Sequence, residues 1–403
     1  MPEPADVHIG ARIASRRKLA GYTQRQLAEH SHLSLGAIRK VERGERQPTP
    51  SLLTGVARVL HVTVEDLTGQ PYRDLPQDEQ VHAPITEVRA ALRHWDLPGD
   101  WFDTPRSLPE LRVDLKAATE HRVHGRLTRL GEALPPLLEE LTASVHLRAG
   151  KEQRQAARLL SLAYDLAHTL TYRLGYPDLR GQVEDRLRWA AGLTADPVLV
   201  ALAEYKRVET FKSAHEYGAG LRVLQAAREQ LADEGRGLGA ECLTVLGGMR
   251  LREVTLASRR RDTAATNHHL EEARTLLRRL PRASDQRHHS VVFGMGNLAI
   301  HEIQARLELQ QVSEADKVIA KNKMLPGTVP PTRMSAYHIN VARAHIAADR
   351  REAALANLQQ ARQVAPQVTR YKPMARDAAL LLTMKYRRTT EELRSLSSWF
   401  GLE

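Results

Sequence analysis

Apolar residues recur at helical spacing through the first part of the chain: Ile9, Ile13, Leu27, Leu33, Ile38, Val41, Leu52, Leu53, Val56, Leu60, Val64 and Leu67. This period predicts amphipathic helices packed on one core. Polar punctuation separates them. Thr23 with Gln26 forms a capping box, Ser34 can cap the next helix, Thr49-Pro50 places a cap before a first-turn proline, and Thr63 with Asp66 opens a last short helix. Gly21 and Gly44 stand where helices must stop. Five helices are expected between Ile9 and Leu67.

The pattern then changes. Gly69, Pro71, Pro76, Pro84, Pro98, Gly99, Pro105 and Pro109 interrupt residues 68–109 too often for one long helix. A short helix is expected from Ile85 to Trp95, and Trp95, Trp101 and Phe102 predict that this linker docks on something. From Leu108 onward, helix-length apolar patterns alternate with breaks near Gly131, Tyr176, Asp196, Tyr217, Gly235–Gly239, Arg260, Pro281–Asp285, Val312, Pro326–Pro331, Asp349 and Pro366. No stretch shows convincing strand alternation. The expectation is an all-α chain: an N-terminal helical domain over residues 1–68, a partly ordered linker over 69–107, and an α-solenoid over 108–403, with helix pairs recurring every ~35 to 50 residues. Leu393, Leu396, Trp399 and Phe400 form a stripe that caps the solenoid's end or contacts a second copy.

Composition sharpens this picture at two points. The net charge is +11, and residues 9–58 hold ten basic residues against three acidic, or +7. That excess suits a polyanionic partner. Cys242 is the one cysteine, which fits a reducing compartment. The first residues lack a signal-peptide pattern and no apolar run is long enough to span a bilayer, so a cytoplasmic protein without a membrane partner is expected.

Residues 23–44, TQRQLAEHSHLSLGAIRKVERG, read as two short helices joined by a tight turn. The stretch resembles the Cro/repressor-type helix-turn-helix domain of the XRE family, and the resemblance covers residues 9–67. It implies a transcriptional regulator in which Leu35, Gly36, Arg39 and Lys40 face base edges of double-stranded DNA. Gln24, Arg43 and Arg46 hold phosphates, with Arg25 and Ser34 on the same surface, while Arg17 and Glu42 form a structural ion pair. Independently of the resemblance, Arg and Lys on a groove-entering helix are the side chains that read guanine. Two residues depart from the family pattern. His32 occupies a turn position that wants positive φ, at a cost of ~1 kcal/mol. Gly36 lies inside the recognition helix and costs ~1 kcal/mol relative to Ala.

Ser335 to Pro366, SAYHINVARAHIAADRREAALANLQQARQVAP, resembles a tetratricopeptide repeat. Val341 and Ala342 supply its first helix, and Ala354, Leu358 and Ala361 its second. More degenerate pairs span 204–229, 238–280 and 295–320. A helix-turn-helix head on such an array is similar to the RRNPP group of regulators. That likeness implies a homodimer on a palindromic operator and a concave groove for a peptide or small-molecule effector, with Asn297, Asn340 and Arg343 as candidate ligand-binding residues. The alternative is a DNA-tethered scaffold whose repeats bind a protein partner.

The remaining motifs point away from catalysis. Phe293-Gly294-Met295-Gly296-Asn297 lacks the third glycine of a phosphate loop and reads as small residues for close helix packing. The 18 histidines lack a zinc-like partner set, and neither G-x-S-x-G nor H-E-x-x-H occurs. The expectation is a non-enzyme with no catalytic residue, metal or cofactor.

Overall fold

The computed structural model describes residues 8–73, 75–97, 105–234, 239–280, 286–322, 329–385 and 390–402. Its head has the five expected helices: α1 (Ile9–Leu19), α2 (Gln24–His30), α3 (Leu35–Glu42), α4 (Pro50–Leu60) and α5 (Val64–Thr68). Four of the five starts use the cap read from the sequence, and α1 is capped by the His8 ring, which accepts from the Ala11 N–H. The Thr23, Ser34, Thr49 and Thr63 hydroxyls accept from the backbone N–H groups of Gln26, Ala37, Leu52 and Asp66. Gly21 and Gly44 take positive φ, as does His32 in the turn between α2 and α3.

Two further helices follow, α6 (Pro76–His82) and α7 (Ile85–Arg93). They fall within the expected linker, yet Val81, Ile85, Val88 and Leu92 are buried in the same core as the helices after residue 108. Trp95 packs edge-on against Trp189 at 5.0 Å, with the Arg186 guanidinium over its ring at 4.5 Å. Trp101 and Phe102 lie outside the described residues.

The rest is a TPR-like solenoid of consecutive helix pairs. They are α8 (Leu108–Val123) with α9 (Leu127–Leu147), α10 (Gly150–Leu174) with α11 (Pro177–Gly192), α12 (Pro197–Ser213) with α13 (Tyr217–Glu234), and α14 (Gly239–Arg259) with α15 (Thr263–Arg278). After a small hairpin, β1 (Gln286–His288) and β2 (Val291–Phe293), come α16 (Met295–Glu308) with α17 (Val312–Lys321) and α18 (Pro331–Ala347) with α19 (Arg351–Val364). Three helices close the chain: α20 (Pro366–Arg370), α21 (Pro373–Lys385) and α22 (Glu391–Phe400). The clearest repeat packs as its small residues dictate, with Ala342, Ala354, Leu358 and Ala361 fully buried between α18 and α19.

Two local expectations are corrected. The break expected at Gly131 falls instead at Gly125, which takes φ +70°, while α9 runs through Gly131. The chain also contains strands: β1 and β2 pair antiparallel with His288 opposite Val291, and β2 ends just before Gly294. Three-residue strands are too short to show an alternation. The hairpin exists because α14 leaves room for it. A Cβ on Gly247 would overlap the Phe293 ring, and one on Gly248 would overlap Val291.

The head is docked on the array. Ile9, Ile13, Ile38, Val56 and Leu67 share one core with Ile339, Met374, Ala378, Leu382, Leu396 and Phe400. Polar contacts pin the seam. Gln47 Nε2 donates to Asp377 Oδ2 at 3.1 Å, the Ser51 N–H and hydroxyl donate to Glu308, and Thr54 meets His215 and Tyr217. Arg180 pairs with Glu65 at 3.3 Å. The C-terminal stripe is buried in this shared core.

Candidate nucleic-acid interface and array cavity

Helix α3 is amphipathic. Ala37, Ile38 and Val41 are buried against α1 and α2, which leaves the opposite side free. Ser34, Gly36, Arg39, Lys40 and Arg43 are all exposed there, Leu35 is half-exposed beside them, and Arg25 is exposed at the start of α2. One solvent face thus carries three cations on α3 and its end, a fourth on α2, and a glycine that leaves the backbone uncovered. Nothing lies within 4 Å of where a Gly36 Cβ would sit. Gly36→Ala is therefore expected to stabilise the protein by up to ~1 kcal/mol, read as a rise in the urea midpoint.

A buried ion pair holds α3 at its angle. Arg17 Nε and Nη2 donate to Glu42 Oε1 and Oε2 at 2.7 and 2.9 Å, and Arg17 Nη1 donates to the Tyr22 carbonyl at 2.8 Å. Gln24, expected on phosphate, donates instead to Glu42 Oε2 at 2.8 Å. Its amide completes the α1–α2–α3 network. Gly10 brings the α1 and α3 backbones together, because a Cβ there would overlap the Val41 carbonyl. Gly10→Ala is expected to cost roughly 3 kcal/mol, the upper end of overpacking, and to displace α3. Thermal melting with a duplex-binding assay checks both effects.

Not every basic residue of the head reaches the exposed face. Arg12 and Arg17 are buried. Arg46 turns toward the array: burial lowers its pKa first, nearby Arg261 lowers it further, and Glu308 opposes. It does not join the exposed set in this conformation. Arg43 pairs with Glu45 at 2.8 Å in solvent, an interaction weak enough to exchange for a phosphate.

The second candidate site is a cavity of about 210 Å³ at the centre of the array. The first helix of each pair lines it: α8, α10, α12, α14, α16 and α18 all contribute, together with the hairpin, Lys372 and Pro50 of the head. Asn340 and Arg343 line this cavity, and Asn340 Nδ2 also donates weakly to the Ile300 carbonyl at 3.5 Å. Asn297 does not line it. It is buried at the start of α16, where its Nδ2 donates to the Val292 carbonyl at 2.7 Å and holds the hairpin to the helix. The structure thus brings two of the three candidates together and gives the third a hairpin-holding contact.

Sequence reasoning missed the charge of this cavity. Its wall carries ten Lys and Arg side chains, among them Lys206 and Lys212 on α12 and Arg252 and Arg259 on α14. The signal was present as cations on otherwise apolar inner helices, but it became legible only once those helices faced one another. Among the described residues no group of three or more His, Cys, Asp or Glu is placed to hold a metal ion, and no helix is long and apolar enough to cross a membrane.

Residues 13–67 match the HTH_3 helix-turn-helix family. The uncharacterized HTH-type transcriptional regulator YazB of Bacillus subtilis is 36% identical over 58 residues, which are 14% of this chain and 84% of YazB. The chain belongs to the HTH-type transcriptional regulators. An uncharacterized HTH-type transcriptional regulator of Sinorhizobium medicae is 35% identical to this regulator over 72 residues, 17% of the chain, and the match spans about half (52%) of that relative. A crystal structure of Bacillus thuringiensis PlcR in complex with the peptide PapR7 and DNA covers 67% of this HTH-type regulator and 94% of PlcR, at 13% identity and a TM-score of 0.25. A superposition that loose carries no argument about ligand or mechanism.

Proposed function

We propose that this HTH-type regulator reads double-stranded DNA through α3 and that its helical array holds an effector governing how the head is presented. Residues 1–68 form the reading unit and residues 108–403 the sensing and dimerising unit, joined by residues 69–107. One observation carries the reading: α3 buries Ala37, Ile38 and Val41 while Arg39, Lys40 and Arg43 stand in solvent on a head docked on the array. A helix of this length presented on its own scaffold fits the major groove, with Arg39 and Lys40 at base edges and Arg25 and Arg43 at phosphates. Two such heads in a homodimer would address a palindromic operator, with half-sites about one helical turn (roughly 34 Å) apart. The array's central cavity, bordered by Pro50 of α4, supports the sensing role because a ligand there touches both units. Its ligand, a peptide or small molecule, acts only as far as it binds one head placement more tightly than another.

The test is a duplex selected from a random pool with the full-length protein. Arg39→Ala should weaken binding by roughly 5- to 150-fold, equivalent to the ~1–3 kcal/mol of a base-reading contact, and relax the preference at one base pair. Arg25→Ala should weaken all sequences alike and reduce the salt slope by about 0.9, the signature of one phosphate contact. Binding by Arg39→Ala with unchanged affinity and preference would remove α3 from the reading role.

A further inference from the structure

The array cavity has an unbalanced charge. Of its ten cationic side chains, some have a carboxylate at hand: Lys206 lies 2.7 Å from Asp165, Lys212 and Arg252 both pair with Glu209, and Arg287 lies 3.6 Å from Glu120. No carboxylate lies within ion-pairing distance of Arg122, Arg173, Arg259, Arg343 or Lys372 among the described residues. Arg343 is only 8% exposed, lines the cavity, and its Nε has no hydrogen-bond partner; the Nε atoms of Arg122, Arg252 and Arg259 share that state. These groups are only partly satisfied, since Arg122 also donates from Nη2 to the His289 carbonyl at 2.9 Å and Arg252 pairs with Glu209. Buried guanidinium groups of one sign on separate helices are costly to assemble unless a counter-charge completes them.

We propose that this cavity is the binding site of a compact, multiply charged anion of the phosphate class, such as a di- or triphosphate group, which completes the ring of cations and fastens the head to the array. The claim rests on the sensing role above and specifies its ligand chemistry. Three observations carry it. The wall offers forked guanidinium donors from α8, α10, α14 and α18 together with the Lys212 and Lys372 ammonium groups, the geometry that binds phosphate oxygens from several sides. The volume, about 210 Å³, is below the roughly 300–1,000 Å³ of sites for drug-sized ligands, so it suits a small charged group better than an extended chain. The cavity also borders Pro50, the first residue of α4, so an anion held there touches the head as well as the array.

The field inside the cavity agrees. Burial, followed by neighbouring Arg173, Lys212 and Arg343 and opposed by Tyr172, pushes the Lys372 ammonium down to about 8. Lys212, ahead of the other cations, holds the Tyr172 phenol well below the usual tyrosine range. Both shifts express an excess of positive charge at this point. An adjoining cavity between α4, α5 and the array shares Tyr172, Arg173, Lys212, Arg259 and Lys372, so charge placed at this point is felt directly at the head's seam.

The experiment is thermal melting of the full-length protein with sodium pyrophosphate and sodium tripolyphosphate, against sodium chloride at matched ionic strength. Saturating tripolyphosphate should raise the midpoint by roughly 5 °C beyond the salt control. Lys372→Met and Arg173→Met should each melt higher than wild type without ligand, because a repelling cation is gone, and should lose most of the ligand shift. A purely structural role predicts the opposite sign for the unliganded melt. Arg39→Ala with Lys40→Ala in the head should keep the full shift. The proposal is overturned by no shift beyond matched salt, or by a shift that survives the cavity variants and disappears with the head variants, which would place the anion on the DNA-reading face. Either failure leaves the duplex-binding result standing, so loss of this claim and loss of the DNA-reading claim are separable.

Discussion

Asp78→Ala is expected to destabilise the protein by about 3–5 kcal/mol, the cost of leaving one member of a buried ion pair unpartnered. Asp78 sits on α6 and is fully buried. It accepts from Arg370 Nε and Nη2 at 2.8 and 3.0 Å and from the Tyr371 hydroxyl at 2.6 Å. Its partners lie 292 and 293 residues away in sequence, so this carboxylate ties the segment after the head to the last turns of the array. Arg370 also donates to the Trp399 carbonyl, which carries the link onward to α22. Removal of the carboxylate leaves a buried guanidinium with one carbonyl partner. The measurement is the urea midpoint of Asp78→Ala beside Asp78→Ala with Arg370→Met. The double variant should regain a substantial part of the loss, since an apolar pair tolerates burial where a lone charge does not. A single variant within about 1 kcal/mol of wild type would show that the clasp contributes little.

Acidification is expected to unfold the protein between pH 6.5 and 4. Burial, with Arg73 next, lowers the His82 pKa to about 4; burial, with Arg58 and Arg259, lowers His215 to about 4; burial, with His288, lowers His289 to about 4. Each folded-state value lies below the unfolded value of about 6.5, so the unfolded chain binds protons more readily. The stability these neutral rings contribute is complete above pH 6.5 and falls away as pH drops toward 4. At 1.36 kcal/mol per unit, each contributes at most about 3 kcal/mol, less for the half-exposed His215, and the three together rival the lower end of the 5–15 kcal/mol of a typical protein. Asp377 works against this trend. Burial raises it to about 6 despite its bonds from Gln47 and Ile9, so its contribution grows as pH falls from 6 toward 4. Glu184, which burial raises to about 7 against Thr210 and Arg180, acts in the same direction, but these two carboxylates are outweighed by the three histidines together with His168 and His301, which burial also holds well below the usual histidine range. His215 and Asp377 both lie at the seam between head and array, so the head's docking should respond over the same range. Urea midpoints at pH 7.5, 6.5 and 5 check the prediction, and equal midpoints at 7.5 and 5 would refute it.

The head was legible because its information is local. Thr23, Ser34, Thr49 and Thr63 cap within three residues of themselves, Gly21 and Gly44 end helices through their own φ, and the apolar period names the buried side. Helix pairs were legible for the same reason, as in the small residues joining α18 to α19. Roles that depend on distant partners were less legible. The sequence did not show that the Gln24 amide pairs with Glu42, or that Arg46 lies near Arg261 and Glu308 of the array. The hairpin at residues 286–293 was hidden because its cause, the bare backbone at Gly247 and Gly248, lies forty residues upstream.

By itself the sequence determined an all-α chain, a five-helix helix-turn-helix head with Arg39 and Lys40 on its outward side, and a following array of helix pairs. Each of these follows from spacing within one or two helical turns. Only the tertiary structure decided that the head rests on the array, that Asp78 clasps Arg370, and that cations from the first helix of each pair meet around one cavity. Those outcomes depend on how many helices wind before two residues face each other, and that winding is the sum of small packing angles no local pattern encodes.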